Sequence, residues 1–276
     1  MRLFFTSLIL TCVTLLSAVA SADVVAEKRS FEQVRTAGKL RVGVYLLAPY
    51  VMKGEDGGLI GAEIDIASRV AKDMGVTPEF KLYDWDALIP ALQKGEIDII
   101  ASGLSVTPDR ALKVYFSDPY ASAGIGIATN IKLTSEFNSL SDLNNATVAI
   151  GVIGGTVSEQ LAREVFDKAS IKTFQEEEKA EDALVKGLIH AYVRSEPEPR
   201  FLALRHPKEI DVPITKPLLA TREAFAVRKG DNDFVNFLNA WIVTRTADAW
   251  LTSTHTFWFE SLGWQNIPAP AAASQK

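Results

Sequence analysis

The sequence predicts an α/β protein, and three observations carry that reading. Short apolar strands alternate with helical segments from Leu40 onward. Glycines at 75, 95 and 187 stand where those helical segments should stop. One stretch, from Trp85 to Tyr120, holds a complete strand–helix unit together with a cluster of polar groups. Within it Leu88, Ile89 and Leu92 give a short helix its apolar positions, and Ile97-Asp98-Ile99-Ile100 reads as a buried strand. The strand leads into Ser102-Gly103-Leu104-Ser105-Val106-Thr107 and then Pro108-Asp109-Arg110. Gly103 lets backbone approach closely, Ser105 and Thr107 bring hydroxyls, and Arg110 offers a planar fork that matches a carboxylate. The plain alternative is an ordinary strand–loop–helix corner with Arg110 on a wet surface.

The rest of the chain supplies the other elements. Ser30 is placed to cap a short helix over Phe31 to Val34. Leu40 to Val44 reads as the first strand, followed by Ala48-Pro49-Tyr50 and a turn at residues 54–58. Gly61-Ala62-Glu63-Ile64-Asp65 enters an amphipathic helix with Ile66, Val70 and Met74 near helical spacing. Glu63 and Asp65 read as helix-entry acids that favour the dipole, rather than a glycosidase pair. Phe80 to Tyr83 is a second strand. Gly124 to Ala128 is a strand broken by glycine, and Thr147 to Ile150 another. Gly154-Gly155-Thr156 then opens a helix, which makes a natural anion seat of backbone N–H groups and a hydroxyl. It lacks the Lys-Ser/Thr ending of a nucleotide loop. Glu176 to Lys179 reads as a solvated charge run, His190 as a structural histidine. Phe234, Phe237, Leu238 and Trp241 form a helix stripe, and Trp250, Phe257, Trp258, Phe259 and Trp264 continue an aromatic C-terminal region packed on the first lobe.

Composition narrows the function. Arg2, an apolar run over residues 3–19 and Ala20-Ser21-Ala22 predict a secretory signal peptide of residues 1–22. A transmembrane anchor is the competing reading, but the run is barely long enough. The one cysteine, Cys12, falls inside that leader, so the predicted mature chain has no thiol chemistry. The chain carries a net charge of −5, which argues against nucleic acid as a partner. No cofactor and no metal ion are predicted.

The pieces Gly61-Ala62-Glu63-Ile64-Asp65, Trp85 to Asp98, Gly103 to Arg110 and Phe116-Ser117-Asp118-Pro119-Tyr120 resemble the family 3 extracellular solute-binding proteins, in that family's order and spacing. The resemblance runs from about Lys39 to Trp258. It implies a periplasmic-binding-protein-like type II fold: two α/β lobes joined by a two-crossing hinge. Residues 23–124 and 221–267 would form lobe one, residues 125–220 lobe two, and residues 268–276 a disordered tail. It also implies a ligand between the lobes, hinge closure over it, a periplasmic monomer, and an ABC transporter membrane permease as partner. The ligand would be a small molecule with a carboxylate. By resemblance Ser105, Arg110, Gly155 and Thr156 hold that carboxylate, with Gly103 beside them. Tyr50, with Tyr45 behind it, and Trp85 supply aromatic faces.

One departure matters. Amino acid receptors of this family place an aspartate at the position of Ser195, where it clamps the ligand's ammonium group. Ser195 cannot do so, and Arg194 stands beside it; Glu196 or Glu198 is the available substitute. The family also includes a periplasmic enzyme, cyclohexadienyl dehydratase. Glu198 falls at that enzyme's catalytic glutamate, whereas its asparagine before the Gly-Gly-Thr loop is replaced here by Val152. The sequence therefore predicts a binding protein for an organic acid or atypical amino acid. A dehydratase acting on a prephenate-like or arogenate-like acid, with Glu198 as general acid, is the alternative. A soluble ligand presenter for a sensor is a third reading.

Overall fold

A computed structural model describes residues 30–214 and 216–260. The predicted signal peptide, Trp264 and the predicted tail lie outside the described residues.

The first part of the chain runs α1 (Phe31–Thr36), β1 (Lys39–Val44), β2 (Met52–Lys53), β3 (Leu59–Ile60), α2 (Ala62–Met74), β4 (Thr77–Leu82), α3 (Leu88–Lys94), β5 (Ile99–Ile100), α4 (Pro108–Ala111) and β6 (Tyr115–Phe116). The middle runs β7 (Ala121–Asn130), α5 (Ile131–Thr134), β8 (Ala149–Ile153), α6 (Val157–Val165), β9 (Ser170–Phe174), α7 (Glu177–Val185), β10 (Ala191–Ser195), α8 (Glu198–Arg205) and β11 (Ile210–Asp211). The chain returns through β12 (Leu219–Glu223) to β13 (Ala226–Val227), α9 (Asn232–Ala247) and α10 (Trp250–His255).

These elements build two α/β lobes. The first sheet has the order β4-β1-β5-β13-β6, and the second β11-β7-β10-β8-β9 with β12 alongside β7. β1 pairs in parallel with β4 and β5, each reached through a helix, as parallel strands require. β13 then adds antiparallel to β5. β7 and β12 carry the chain out of lobe one and back. They run antiparallel, with Ala121 opposite Glu223 and Ile125 opposite Leu219.

The predicted helices form where their apolar spacing put them. Ile66, Ala67, Val70 and Ala71 of α2 are buried. So are Leu88, Ala91 and Leu92 of α3, which Gly95 ends in a left-handed conformation. Ser30 caps α1 and forms a reciprocal capping box with Gln33. In lobe two the strand alternation sorts residues to two cores. Ala191 and Val193 of β10 join Ile150 and Val152 under α6. Tyr192, between them, points the other way, to Ala180, Leu184 and Leu202.

Two differences from the sequence reading have simple causes. β7 spans ten residues rather than five, because β10 and β12 both pair with it and extend the ladder beyond the glycines. β4 begins at Thr77, before Phe80, as an edge strand of partly exposed residues that shows no alternation. His190 is structural, its Nδ1 accepting from the Ala149 N–H at 3.1 Å. Among the described residues no helix is long and apolar enough to cross a membrane.

Leu92 is fully buried in the lobe-one core. Leu92→Ala should destabilise the protein by about 2–5 kcal/mol, read as a lower urea midpoint with an unchanged slope. A loss below about 1 kcal/mol would mean the site collapses around the smaller side chain.

Candidate functional site

The cleft is closed by hydrogen bonds that run directly from one lobe to the other. Arg110 enters from α4, whose N-terminus Thr107 caps through its hydroxyl. Its Nη1 donates to the Ser105 carbonyl at 2.9 Å, and its Nη2 reaches across to the Gly155 carbonyl at 3.2 Å. The guanidinium lies 5.4 Å from the centre of the Trp85 ring. Trp85 Nε1 donates to the same Gly155 carbonyl at 3.1 Å. One lobe-two carbonyl therefore receives both the cation and the indole of lobe one.

Among the described residues no carboxylate lies within ion-pair distance of Arg110. Burial alone pushes the guanidinium down to about 10, so it remains charged at neutral pH. Two neutral carbonyls are weak partners for a dehydrated cation, and an anion would be a stronger one. A cavity of about 380 Å³ opens beside it, lined by Trp85, Leu104, Arg110, Gly155, Thr156 and Gln160, among others. That volume is within the range of small-molecule sites. A larger cavity, about 750 Å³, is lined by lobe-one residues such as Gln93, Lys113 and Arg228, and contains none of the predicted site residues.

The Gly-Gly-Thr turn is already engaged. Gly155 N–H donates to Glu159 Oε2 at 2.8 Å, while the Thr156 hydroxyl donates to the Ile153 carbonyl at 2.7 Å and accepts from Glu159 N. Glu159 thus brings an internal carboxylate to the turn read as an anion seat. The sequence signal was present, four residues after Gly155 in the first turn of α6, where acids favour a helix dipole.

Of the remaining predicted residues only Ser105 touches Arg110, through its carbonyl. Tyr50 is buried in lobe one. Its ring covers Gly103, where an added Cβ would lie 2.7 Å from the ring, and Gly103 has φ +61°. The Tyr50 hydroxyl donates to Glu223 Oε1 at 2.8 Å and lies 3.4 Å from the Glu196 carbonyl of lobe two. Ser105 is buried and bridges to Glu223. Ser195 ends β10, half-buried and opposite Ile125.

Arg194 is 2 % exposed and ion-pairs with Glu177. Its Nε donates to Glu177 Oε2 at 2.9 Å, and the Tyr192 hydroxyl donates to the same oxygen at 2.5 Å. The Tyr45 hydroxyl, from lobe one, completes the group at 3.3 Å from Glu177 Oε1. Burial opposes the Arg194 charge, but Glu177 overrides it and holds the guanidinium above its ordinary range. Burial and the same carboxylate push the Tyr45 phenol up. Reading residues 176–179 as a solvated run missed Glu177. The helix pattern gave no sign of it, because its partners lie on β10 and just after β1. Tyr45 also meets Trp85 edge-to-face at 5.6 Å. Beyond Tyr45 a second interlobe cavity, about 560 Å³, is lined by Tyr83, Asp84, Glu176, Glu177 and Glu178, among others.

Glu198 is 2 % exposed. Arg205 donates to its Oε1 at 2.7 Å, while Oε2 has no hydrogen-bond partner among the described residues. Burial pushes its carboxyl up to about 8, helped by the charge of Glu181 and opposed by Arg205. Val152 is fully buried in the apolar core of lobe two. The carboxyl of Glu196 lies against Gly126 and pairs with Arg200 at 3.3 Å. Among the described residues no group of three or more His, Cys, Asp or Glu could hold a metal ion.

Known proteins share this architecture and about a quarter to a third of this sequence. The L-cystine-binding protein of Escherichia coli (strain K12) is 27 % identical over 242 residues, covering 85 % of this chain and 87 % of that one. Cyclohexadienyl dehydratase of Pseudomonas aeruginosa is 27 % identical over 257 residues, covering 91 % and 92 %. The crystal structure of an ancestral amino acid-binding protein, a precursor of cyclohexadienyl dehydratase, superposes with a TM-score of 0.75. It is 36 % identical and covers 83 % of this chain and 98 % of that one. The model of the bacterial extracellular solute-binding proteins, family 3, matches residues 40–261. With two α/β lobes closed on one cleft and a family match from β1 past α10, this chain belongs to the bacterial extracellular solute-binding proteins, family 3.

Proposed function

We propose that this protein is the substrate-binding component of an ABC importer, exported to the periplasm as a monomer, and that it holds a small carboxylate-bearing solute between its lobes. One observation carries the ligand class. Arg110 is a partly dehydrated cation beside a cavity, its guanidinium hydrogen-bonded, among the described residues, to the carbonyls of Ser105 and Gly155. A carboxylate entering there exchanges neutral acceptors for a charge-assisted pair. Trp85 stacks on the guanidinium and closes one wall. The ligand would take the place of direct interlobe bonds, and the closed pair of lobes is what a permease would recognise.

Relatives such as the L-cystine-binding protein bind amino acids, and the finer choice of solute is our own inference. An ammonium group buried without a counter-charge costs several kcal/mol. Ser195 carries no charge. Glu177 has its carboxylate occupied by Arg194, Tyr192 and Tyr45. Glu198 is held by Arg205, and Glu196 by Arg200. The proposed ligand is therefore an organic acid, a dicarboxylate, or an amino acid whose nitrogen is masked or displaced.

A dehydratase remains the second reading, favoured by Glu198. Its carboxyl, raised to about 8, stays largely protonated at neutral pH, which is the state a general acid needs. Against it stand the Arg205 bond and Val152, which brings no polar group where that enzyme has an asparagine.

A thermal-shift panel of amino acids, keto acids, hydroxy acids and dicarboxylates, followed by calorimetry, tests the ligand class. Carboxylates without a free α-ammonium should raise Tm; micromolar binding of a standard free L-amino acid would defeat the proposal. With the best carboxylate from that panel, Arg110→Ala should weaken binding by about 2–5 kcal/mol, and an unchanged affinity in a folded variant removes Arg110 from the site. Given prephenate or arogenate, the purified protein should form no phenylpyruvate or phenylalanine above the acid-catalysed background. Turnover that disappears in Glu198→Gln would establish the enzyme instead.

A further inference from the structure

Two carboxyl groups are buried in lobe one with no cation beside them among the described residues. Glu63 lies in the first turn of α2, and Glu223 is the last residue of β12; they are 1 % and 3 % exposed. Glu63 Oε1 accepts from Gly103 N at 3.0 Å and from the Tyr120 hydroxyl at 2.7 Å. Its Oε2 is buried and has no hydrogen-bond partner among the described residues. Glu223 Oε1 accepts from the Tyr50 hydroxyl at 2.8 Å. Between the pair lies a cavity of about 20 Å³, room for about one water.

Both crossings between the lobes end at this pair. Ala121, the first residue of β7, pairs with Glu223, and Tyr120 N donates to the Glu223 carbonyl at 3.0 Å. The Tyr50 hydroxyl also lies 3.4 Å from the Glu196 carbonyl, on the lobe-two side of the hinge. A phenol has one proton to donate. While Glu223 is ionised, it takes that proton as the stronger acceptor. Once protonated, Glu223 can donate to the Tyr50 oxygen and free the phenol proton for Glu196.

We propose that Glu223, Tyr50 and the Glu196 carbonyl form a proton-linked latch across the hinge, with Glu63 setting the pH at which it works. A proton on Glu223 completes the chain from Glu223 through Tyr50 to Glu196 and holds the lobes together. Its loss to solvent turns the Tyr50 proton back into lobe one and leaves a buried charge that opening would hydrate.

The surroundings support titration near neutrality. Burial pushes Glu223 up to about 8, the charge of Glu63 adds to this, and the Tyr50 bond opposes it. Burial pushes Glu63 up to about 7 against the Tyr120 and Gly103 bonds. The other charged or titratable groups around the pair have their own contacts. His255 of α10 lines the cavity, with its Nδ1 3.5 Å from Glu260. Asp65 of α2 accepts from Trp258. The Glu196 carboxyl faces Arg200. Arg194 acts on Tyr50 from lobe two but is paired with Glu177. Because the folded pair holds protons that the unfolded chain releases, stability is fullest below the ordinary carboxylate range. It is lost as pH rises through about 7 and 8.

The latch is independent of ligand class, so it is tested without ligand, by small-angle scattering of the wild-type chain between about pH 6 and about pH 9. The radius of gyration should increase as pH rises, with circular dichroism unchanged. Glu223→Gln, whose amide can still donate to Tyr50, should stay compact throughout. Tyr50→Phe, which removes the relay, should be expanded at every pH. A wild-type radius that does not move with pH, or a Tyr50→Phe variant that follows the wild type, overturns the proposal. If Glu223→Gln fails to fold, those two measurements still decide it.

Discussion

The antiparallel pairing of β7 with β12 is the constraint on which the cleft depends. Five paired positions, from Ala121–Glu223 to Ile125–Leu219, carry the chain into lobe two and back. One end of this ribbon is rooted in the lobe-two core through Ile125 and Leu218. The other ends among the buried tyrosines and glutamates of lobe one. A two-stranded ribbon twists easily but does not stretch. The lobes can therefore rotate about it, which carries Gly155 towards or away from Arg110 and Trp85.

Charge is distributed unevenly across that closure. On the Tyr45 side, Glu177 is satisfied by a guanidinium and two phenols, so the contact is electrostatically complete. On the Trp85 side, the hydrogen-bond acceptors of the Arg110 guanidinium among the described residues are carbonyl oxygens. The first arrangement resembles a structural ion pair, which is costly to break once buried. The second leaves electrostatic attraction available to a solute. This asymmetry, more than cavity size, separates the proposed binding position from the other hollows of the surface.

Membership of the solute-binding family does not choose between binding and catalysis, because one fold hosts both among the relatives. The distinction lies in a few side chains of lobe two. Glu198 has the burial that keeps a carboxyl protonated, yet it shares a proton-rich contact with Arg205. Val152 faces the apolar core of lobe two.

Local pattern alone determined the helices at residues 62–74 and 88–94, the capping of α1 and the strand leading to Arg110. In those segments the apolar spacing, a cap or a terminating glycine acts within a few residues. The resemblance carried by the Gly103 to Arg110 motif extended that reading to two lobes. What tertiary structure alone decided was which charges find partners. Glu177 read as solvated because its helix neighbours are polar, and it is partly buried because Arg194 and Tyr192 arrive on β10, with Tyr45 from lobe one. Glu63 read as a helix-entry acid, yet it is buried beside Glu223, 160 positions away in sequence. Burial and ion pairing are sums over groups from distant segments. A local pattern cannot contain them, and only the folded chain brings those groups together.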